Sequence, residues 1–168
     1  MYSRSCGRDT WLERRLHRDD YFLVRNRVQA YFNRRKNRLT KAWIKYVDLD
    51  VVMDFLFRDT TNAWIVGGAY LVVYDISTPW YANPDKHKFL SEIIVLALVP
   101  GGSLSVVPEF LENQAREAGA VVAGAGTALA PNNRALARVY SRAGFNIEAF
   151  ILIKEITHER HSGDEEGG

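Results

Sequence analysis

The chain predicts an α/β domain, a mixed β-sheet flanked by helices, with a basic and mainly helical segment at its N-terminus. Three observations carry this expectation. Residues 63–76 hold two β-favouring runs around Gly67-Gly68, the pattern of a hairpin with a tight turn. Residues 89–156 then read strand–helix–strand–helix–strand, a sequence that favours parallel neighbours joined by right-handed crossovers. Finally, 168 residues with 47% hydrophobic and 25% charged side chains suit a single packed domain over residues 1–157.

The elements follow in order. From residue 9 to about 45 the spacing is mostly helical: Thr10 is a candidate cap, and Trp11, Leu12, Arg15 and Leu16 begin an apolar stripe. Tyr21-Phe22-Leu23-Val24 interrupts it with β-favouring residues and reads as a short first strand. Val28, Tyr31, Phe32, Leu39, Trp43 and Ile44 resume helical spacing, and residues 48–57 form a short helix capped by Asp48, with Val51, Val52, Phe55 and Leu56 on one side. After the hairpin, residues 77–88 carry two prolines and form a loop. Residues 89–99 are a long apolar strand, buried on both faces and ended by Pro100-Gly101-Gly102. Pro108 fits a first helical turn, and a helix over 109–118 stops at Gly119. A second buried strand covers 120–125, Asn132 caps a helix over 133–142 ended by Gly144, and 147–156 is the closing strand. The acidic, glycine-rich tail over 158–168 is expected to be disordered.

Charge is unevenly spread. Residues 1–45 carry 13 Lys/Arg against 4 Asp/Glu, a balance of +9, and the remainder carries 9 against 16, a balance of −7. That split suits either a polyanion-binding arm or two surfaces that face each other. Arg34-Arg35-Lys36-Asn37-Arg38, with Tyr31 and Phe32 nearby, is the stretch that would contact nucleic-acid phosphates; the alternative packs the aromatics inward while the arginines snorkel. Cys6 is the only cysteine, which excludes an intrachain disulfide and a thiolate metal cluster and suits a reducing, cytoplasmic setting. No apolar run approaches the roughly 20 residues of a membrane span, and the N-terminus lacks the apolar stretch of a signal peptide.

The segment Asn133-Arg134-Ala135-Leu136-Ala137-Arg138-Val139-Tyr140-Ser141-Arg142-Ala143-Gly144-Phe145 resembles the N-x-x-A-x-x-x-Y-x-x-x-G-F signature of the GNAT N-acetyltransferase family. The residues make physical sense without the family: glycine permits a left-handed helix end, and Phe145 can staple that turn to the core. Asn133 and Tyr140 lie seven residues apart, two turns along one helix face. Leu98-Val99-Pro100 resembles the V-x-P that ends the family's central strand before the loop for the pyrophosphate of coenzyme A. The family's Q/R-x-x-G-x-G/A loop falls on Ser103, Val106 and Pro108, so Gly101, Gly102, Ser103 and Ser105 are what remains to form a cradle. Tyr74-Asp75-Ile76-Ser77-Thr78-Pro79-Trp80-Tyr81 is similar to stretches of small bacteriophage proteins of this kind.

The resemblance implies acetyl transfer from acetyl-CoA to the amine of a small molecule or protein. It assigns Tyr140 as the acid that protonates the departing thiolate, the alternative being a packed helix tyrosine with its hydroxyl at the surface. Glu92 interrupts the apolar run where the family often keeps a carboxylate base, and its bland reading is an exposed strand-edge residue. Leu98, Val99, Gly101, Gly102, Ser103 and Asn133 are the candidate cofactor contacts. Trp80 and Tyr81 would line the acceptor pocket or merely pin their loop. His87 reads as a solvated loop residue, and His158 and His161 lack spaced partners for a metal. A rival reading keeps the fold and loses the chemistry, leaving a binding or structural protein such as a viral component.

Overall fold

In the computed structural model, residues 13–36, 44, 46–126 and 133–146 are described. They build a five-stranded mixed sheet in the order β1-β2-β3-β4-β5, with helices on both faces. The strands are β1 (Glu13–Arg15), β2 (Asn62–Val66), β3 (Tyr70–Ser77), β4 (Lys88–Ala97) and β5 (Ala120–Gly124). The helices are α1 (Tyr21–Lys36), α2 (Leu49–Leu56), α3 (Val106–Glu117) and α4 (Asn133–Arg142). None of the described helices is long and apolar enough to cross a membrane.

The hairpin forms as expected. Gly67 and Gly68 have φ of 59° and 61°, and the Ala69 N–H closes the turn on the Val66 carbonyl at 3.1 Å. Two left-handed residues in succession match the turn to the twist of β2 and β3, and glycine takes that conformation at little cost. β3 and β4 pair antiparallel, whereas β4 and β5 pair parallel, so α3 is the crossover helix of a strand–helix–strand unit. The parallel ladder ends at Ser91↔Gly124, while β4 continues to Ala97. β5 ends at that pair, so β4 runs on for six residues without a parallel neighbour among the described residues.

Several expectations need correction. Residues 13–15 were expected in a helix and instead form β1, an exposed edge strand held by backbone pairing to β2. Its side chains are charged, so no apolar alternation announces it. Residues 21–24, expected as a strand, open α1. The reason is local: the His17 side chain and the Asp20 carboxylate form a capping box over the turn Arg18–Asp20, which starts the helical run. Val24 and Val28 then fall on one face and are buried. On α2, Asp48 accepts from the amides of Asp50 and Val51 as a cap should, but Met53 and Leu56 are the buried residues and Val51 faces out. α3 starts earlier than expected, with Pro108 inside its first turn. β5 is not a buried strand: Val121 and Val122 are exposed at the edge of the described sheet. The closing strand over 147–156, the Asn132 cap and the acidic tail lie outside the described residues.

Each face of the sheet has its own core. Val24, Val28, Met53, Leu56, Ile65, Leu71 and Val73 form one beneath α1 and α2. Val66, Val72, Tyr74, Leu90, Phe110, Leu111, Leu136 and Tyr140 form the other beneath α3 and α4.

Candidate active site

The site begins with an irregularity in β4. Val73 pairs with Ile94 but Tyr74 pairs with Glu92, so Ile93 is an extra residue that bulges from the ladder. Alternation resets there. Beyond the bulge, Ile94, Leu96 and Leu98 face the α1/α2 core. Before it, Leu90 faces the α3/α4 core, and Glu92 shares that side.

α4 supplies the opposing group. Leu136 and Tyr140, one turn apart, are its buried residues, while Arg134 and Arg138 are exposed. The alanine position of the family signature falls on Leu136, whose larger side chain fills the core here. Gly144, at φ 91°, ends the helix, and the Phe145 N–H returns to the Tyr140 carbonyl at 3.1 Å. That turn sets the Phe145 ring edge-on against Tyr140, centroids 5.2 Å apart. The expected staple is present, and it fixes the tyrosine ring.

The result is a direct contact: the Tyr140 hydroxyl donates to Glu92 Oε2 at 2.6 Å. The Gly126 backbone N–H, just past β5, also hydrogen-bonds this carboxylate. Burial pushes Glu92 up to about 7, overriding the lowering effect of both hydrogen bonds. Tyr140 is held well above the ordinary phenol range, first by burial and then by the neighbouring Glu92 charge. The pair sits immediately past the last β4–β5 ladder pair, Ser91↔Gly124. A half-buried carboxylate pushed up to about 7, touching a buried phenol, is an acid–base pair suited to moving protons at pH 7.

The other candidate residues are placed as follows. Leu98 is buried, and its N–H donates to the Ala69 carbonyl at 2.7 Å; the Val99 N–H reaches the same oxygen at 3.5 Å. Gly101 is exposed with φ 90° and open space around it. Gly102 is packed instead against the hairpin: a Cβ there would lie 2.4 Å from that of Ala69, and its carbonyl accepts the Tyr70 hydroxyl at 2.6 Å. The Ser103 and Ser105 hydroxyls hydrogen-bond each other at 2.7 Å. Asn133 opens α4, and its side chain lies outside the described part. Trp80 and Tyr81 stand exposed on the β3–β4 loop, stacked edge to face, with Tyr81 leaning on Phe89. They are not gathered around Tyr140.

Three contributors escaped the sequence reading. Tyr74 lies across the ladder from Glu92, and its hydroxyl donates to Gln114 Oε1 at 2.5 Å. Gly126 serves Glu92 through its backbone alone, which no side-chain pattern reveals. Tyr70 anchors the loop after β4, and only the strand register shows that it can. Among the described residues, no group of three His, Cys, Asp or Glu side chains is placed to hold a metal.

No protein-family model matches the sequence, and no curated protein does. Solved structures do match. A probable acetyltransferase superposes with a TM-score of 0.56 at 12% identity, over 88% of this chain and 98% of the other. A putative acetyltransferase from Agrobacterium tumefaciens str. C58 gives 0.54 at 14%, over 84% and 99%. An aminoglycoside acetyltransferase from an uncultured soil metagenomic sample, solved with trehalose and with sisomicin, gives 0.51 at 9%, over 88% and 95%. With its hairpin, parallel β4–β5 pair and tyrosine-bearing α4, the chain has the GNAT acetyltransferase fold in a divergent form.

Proposed function

We propose that this chain is an N-acyltransferase that moves an acetyl group from acetyl-CoA to an amine, with Glu92 as base and Tyr140 as acid. The observation that carries the reading is the 2.6 Å hydrogen bond between them, next to the last β4–β5 ladder pair. The aminoglycoside acetyltransferase among the similar structures favours a small-molecule amine as acceptor. Trp80 and Tyr81 would meet such a molecule from the β3–β4 loop.

Acetyl-CoA supplies an activated acyl thioester. The loop after β4 suits its diphosphate in kind: Gly101 is open, and Ser103 and Ser105 offer hydroxyls beside the start of α3. The hold is weak, however. The Val106 and Val107 amides are already turned to the carbonyls of Ser103 and Leu104 at 3.5 and 3.1 Å, and Pro108 has no N–H. No Lys or Arg occurs between residues 89 and 115. Gly101, Gly102 and Ser103 would hold the diphosphate through neutral hydrogen bonds, and Val99 and Asn133 would flank the pantetheine arm.

The proton path follows from the contact. Glu92 takes a proton from the attacking ammonium, and this removes the charge that adds to burial in raising Tyr140. Tyr140, now more acidic, gives its hydroxyl proton to the departing sulfur. The protonated Glu92 returns a proton to Tyr140 across their hydrogen bond, so one of the two protons lost by the ammonium reaches the thiol, and the second, left on nitrogen after attack, passes to solvent. The decisive experiment is Tyr140→Phe: acetyl-CoA should bind with unchanged Kd while kcat falls about a hundredfold or more. If saturating acetyl-CoA gives the unsubstituted protein neither heat nor a thermal shift, the acyltransferase reading is wrong. A GNAT-fold binding protein then stands, the reading that the cation-free loop favours.

A further inference from the structure

A cavity of about 400 Å³ opens between β1 and the end of α2. It lies on the α1/α2 side of the sheet, away from Tyr140: Leu16, Leu56 and Ala63 form its floor and belong to that side's core. Phe57 stands beside them, its ring 5.3 Å from that of Tyr21. The rim is cationic. The guanidinium groups of Arg15, Arg18 and Arg58 line it beside His17, whose Nδ1 lies 3.0 Å from the Asp19 carboxylate, and Asp59 is the one carboxylate among the lining residues.

These charges are available. Arg14 is committed to Asp20 and Arg25 to Asp50, each at 2.7–2.8 Å. By contrast, Arg18 and Arg58 make no ion pair among the described residues. Arg15 donates from Nη2 to the Thr61 carbonyl at 2.9 Å, which fixes its guanidinium at the rim without neutralising it. The end of α2 contributes an opposing partial charge of roughly half an electron, far less than three guanidinium groups. Guanidinium forks match the oxygens of a phosphate, and the apolar floor and Phe57 would receive an organic body. The volume lies in the range of small-molecule sites, roughly 300–1,000 Å³. A cationic rim also repels ammonium, so this cannot be where an amine acceptor sits.

We propose that this cavity is a binding site for a small phosphate monoester with an apolar or aromatic body, about the size of a mononucleotide, separate from the acyl-transfer site. The inference does not rest on the acyltransferase reading. Its test is calorimetric titration of the full chain at low salt with AMP as the probe, and with adenosine and inorganic phosphate as its two halves. AMP should bind at least tenfold more tightly than either half. Arg18→Ala and Arg58→Ala should each weaken AMP about tenfold, and both positions are exposed, so melting temperature should hold. Acetyl-CoA should fail to displace AMP. The proposal falls if AMP gives no heat at millimolar concentration, if inorganic phosphate binds as tightly as AMP, or if neither substitution weakens AMP. It falls equally if acetyl-CoA competes fully, since the phosphate site would then be the donor's own.

Discussion

Glu92 costs stability in the state in which it would act. Its folded pKa of about 7 exceeds its ordinary 4.5. The native protein therefore holds this proton over a pH range in which the unfolded chain has lost it. The associated stabilisation is present below about pH 4.5 and is lost as pH rises towards 7, an effect of up to about 3 kcal/mol. Glu92→Gln keeps an acceptor for the Tyr140 hydroxyl and removes the titration. We expect the unsubstituted protein to lose melting temperature between pH 5 and 7.5, and the Gln variant to stay level and melt several degrees higher at pH 8. Its kcat should fall at least about a hundredfold, because the base is gone. Parallel pH slopes for the two proteins would assign the titration to another group. Both residues were readable in the sequence, Glu92 as a carboxylate inside an apolar run and Tyr140 from its spacing to Gly144 and Phe145. Their contact was not.

The reason lies in an element. Strict alternation back from Leu98 through Leu96 and Ile94 puts Glu92 on the α1/α2 face, away from Tyr140. The bulge at Ile93 shifts the phase and turns Glu92 to α4. A single extra residue in a uniformly apolar strand leaves no mark on a hydropathy pattern. β1 was illegible for a related reason, since it is held by backbone pairing rather than by side-chain burial. α1 was misread because its capping box outweighs the β preference of Tyr21-Phe22-Leu23-Val24. The loop after β4 was legible in composition, and its geometry gives a second prediction. With two helix-start amides turned to the loop and no Lys or Arg between residues 89 and 115, acetyl-CoA should bind with a Kd of tens of micromolar, about 6–7 kcal/mol. Ser103→Arg supplies a charged donor at the position where the family keeps a basic or amide residue, and should tighten binding about tenfold. Submicromolar binding by the unsubstituted chain would show that the loop presents further donors to the diphosphate.

At the scale of the molecule, the sheet separates two tasks. The α3/α4 face holds Glu92 and Tyr140, and the α1/α2 face holds a core without a buried acid–base pair among its members. The excess of positive charge in the N-terminal segment is partly answered within the fold, through Arg14 with Asp20 and Arg25 with Asp50. The exposed Arg25–Asp50 pair contributes about 0–1 kcal/mol, and the Arg14–Asp20 pair, whose carboxylate is buried, ties β1 to the turn before α1, so neither holds α1 on the sheet. Burial does. Val24 is fully buried and packs in the core with Val28, Met53, Leu56 and Val73. Val24→Ala removes two methyl groups from that contact and should cost about 2 kcal/mol, or about 4–8 °C in a chain of this size. Because the loss falls on the opposite face of the sheet, kcat and the Kd for acetyl-CoA should be unchanged at temperatures where the variant is folded. A nucleic-acid arm would behave otherwise: the substitution would leave the melting temperature alone, and only salt-sensitive retention on DNA would report changes in its arginines. A Val24→Ala protein that melts with the unsubstituted chain would show that α1 is not part of the packed domain in solution. A lower melting temperature with intact kinetics would establish α1 as scaffold, placing the chemistry on the other side of the sheet.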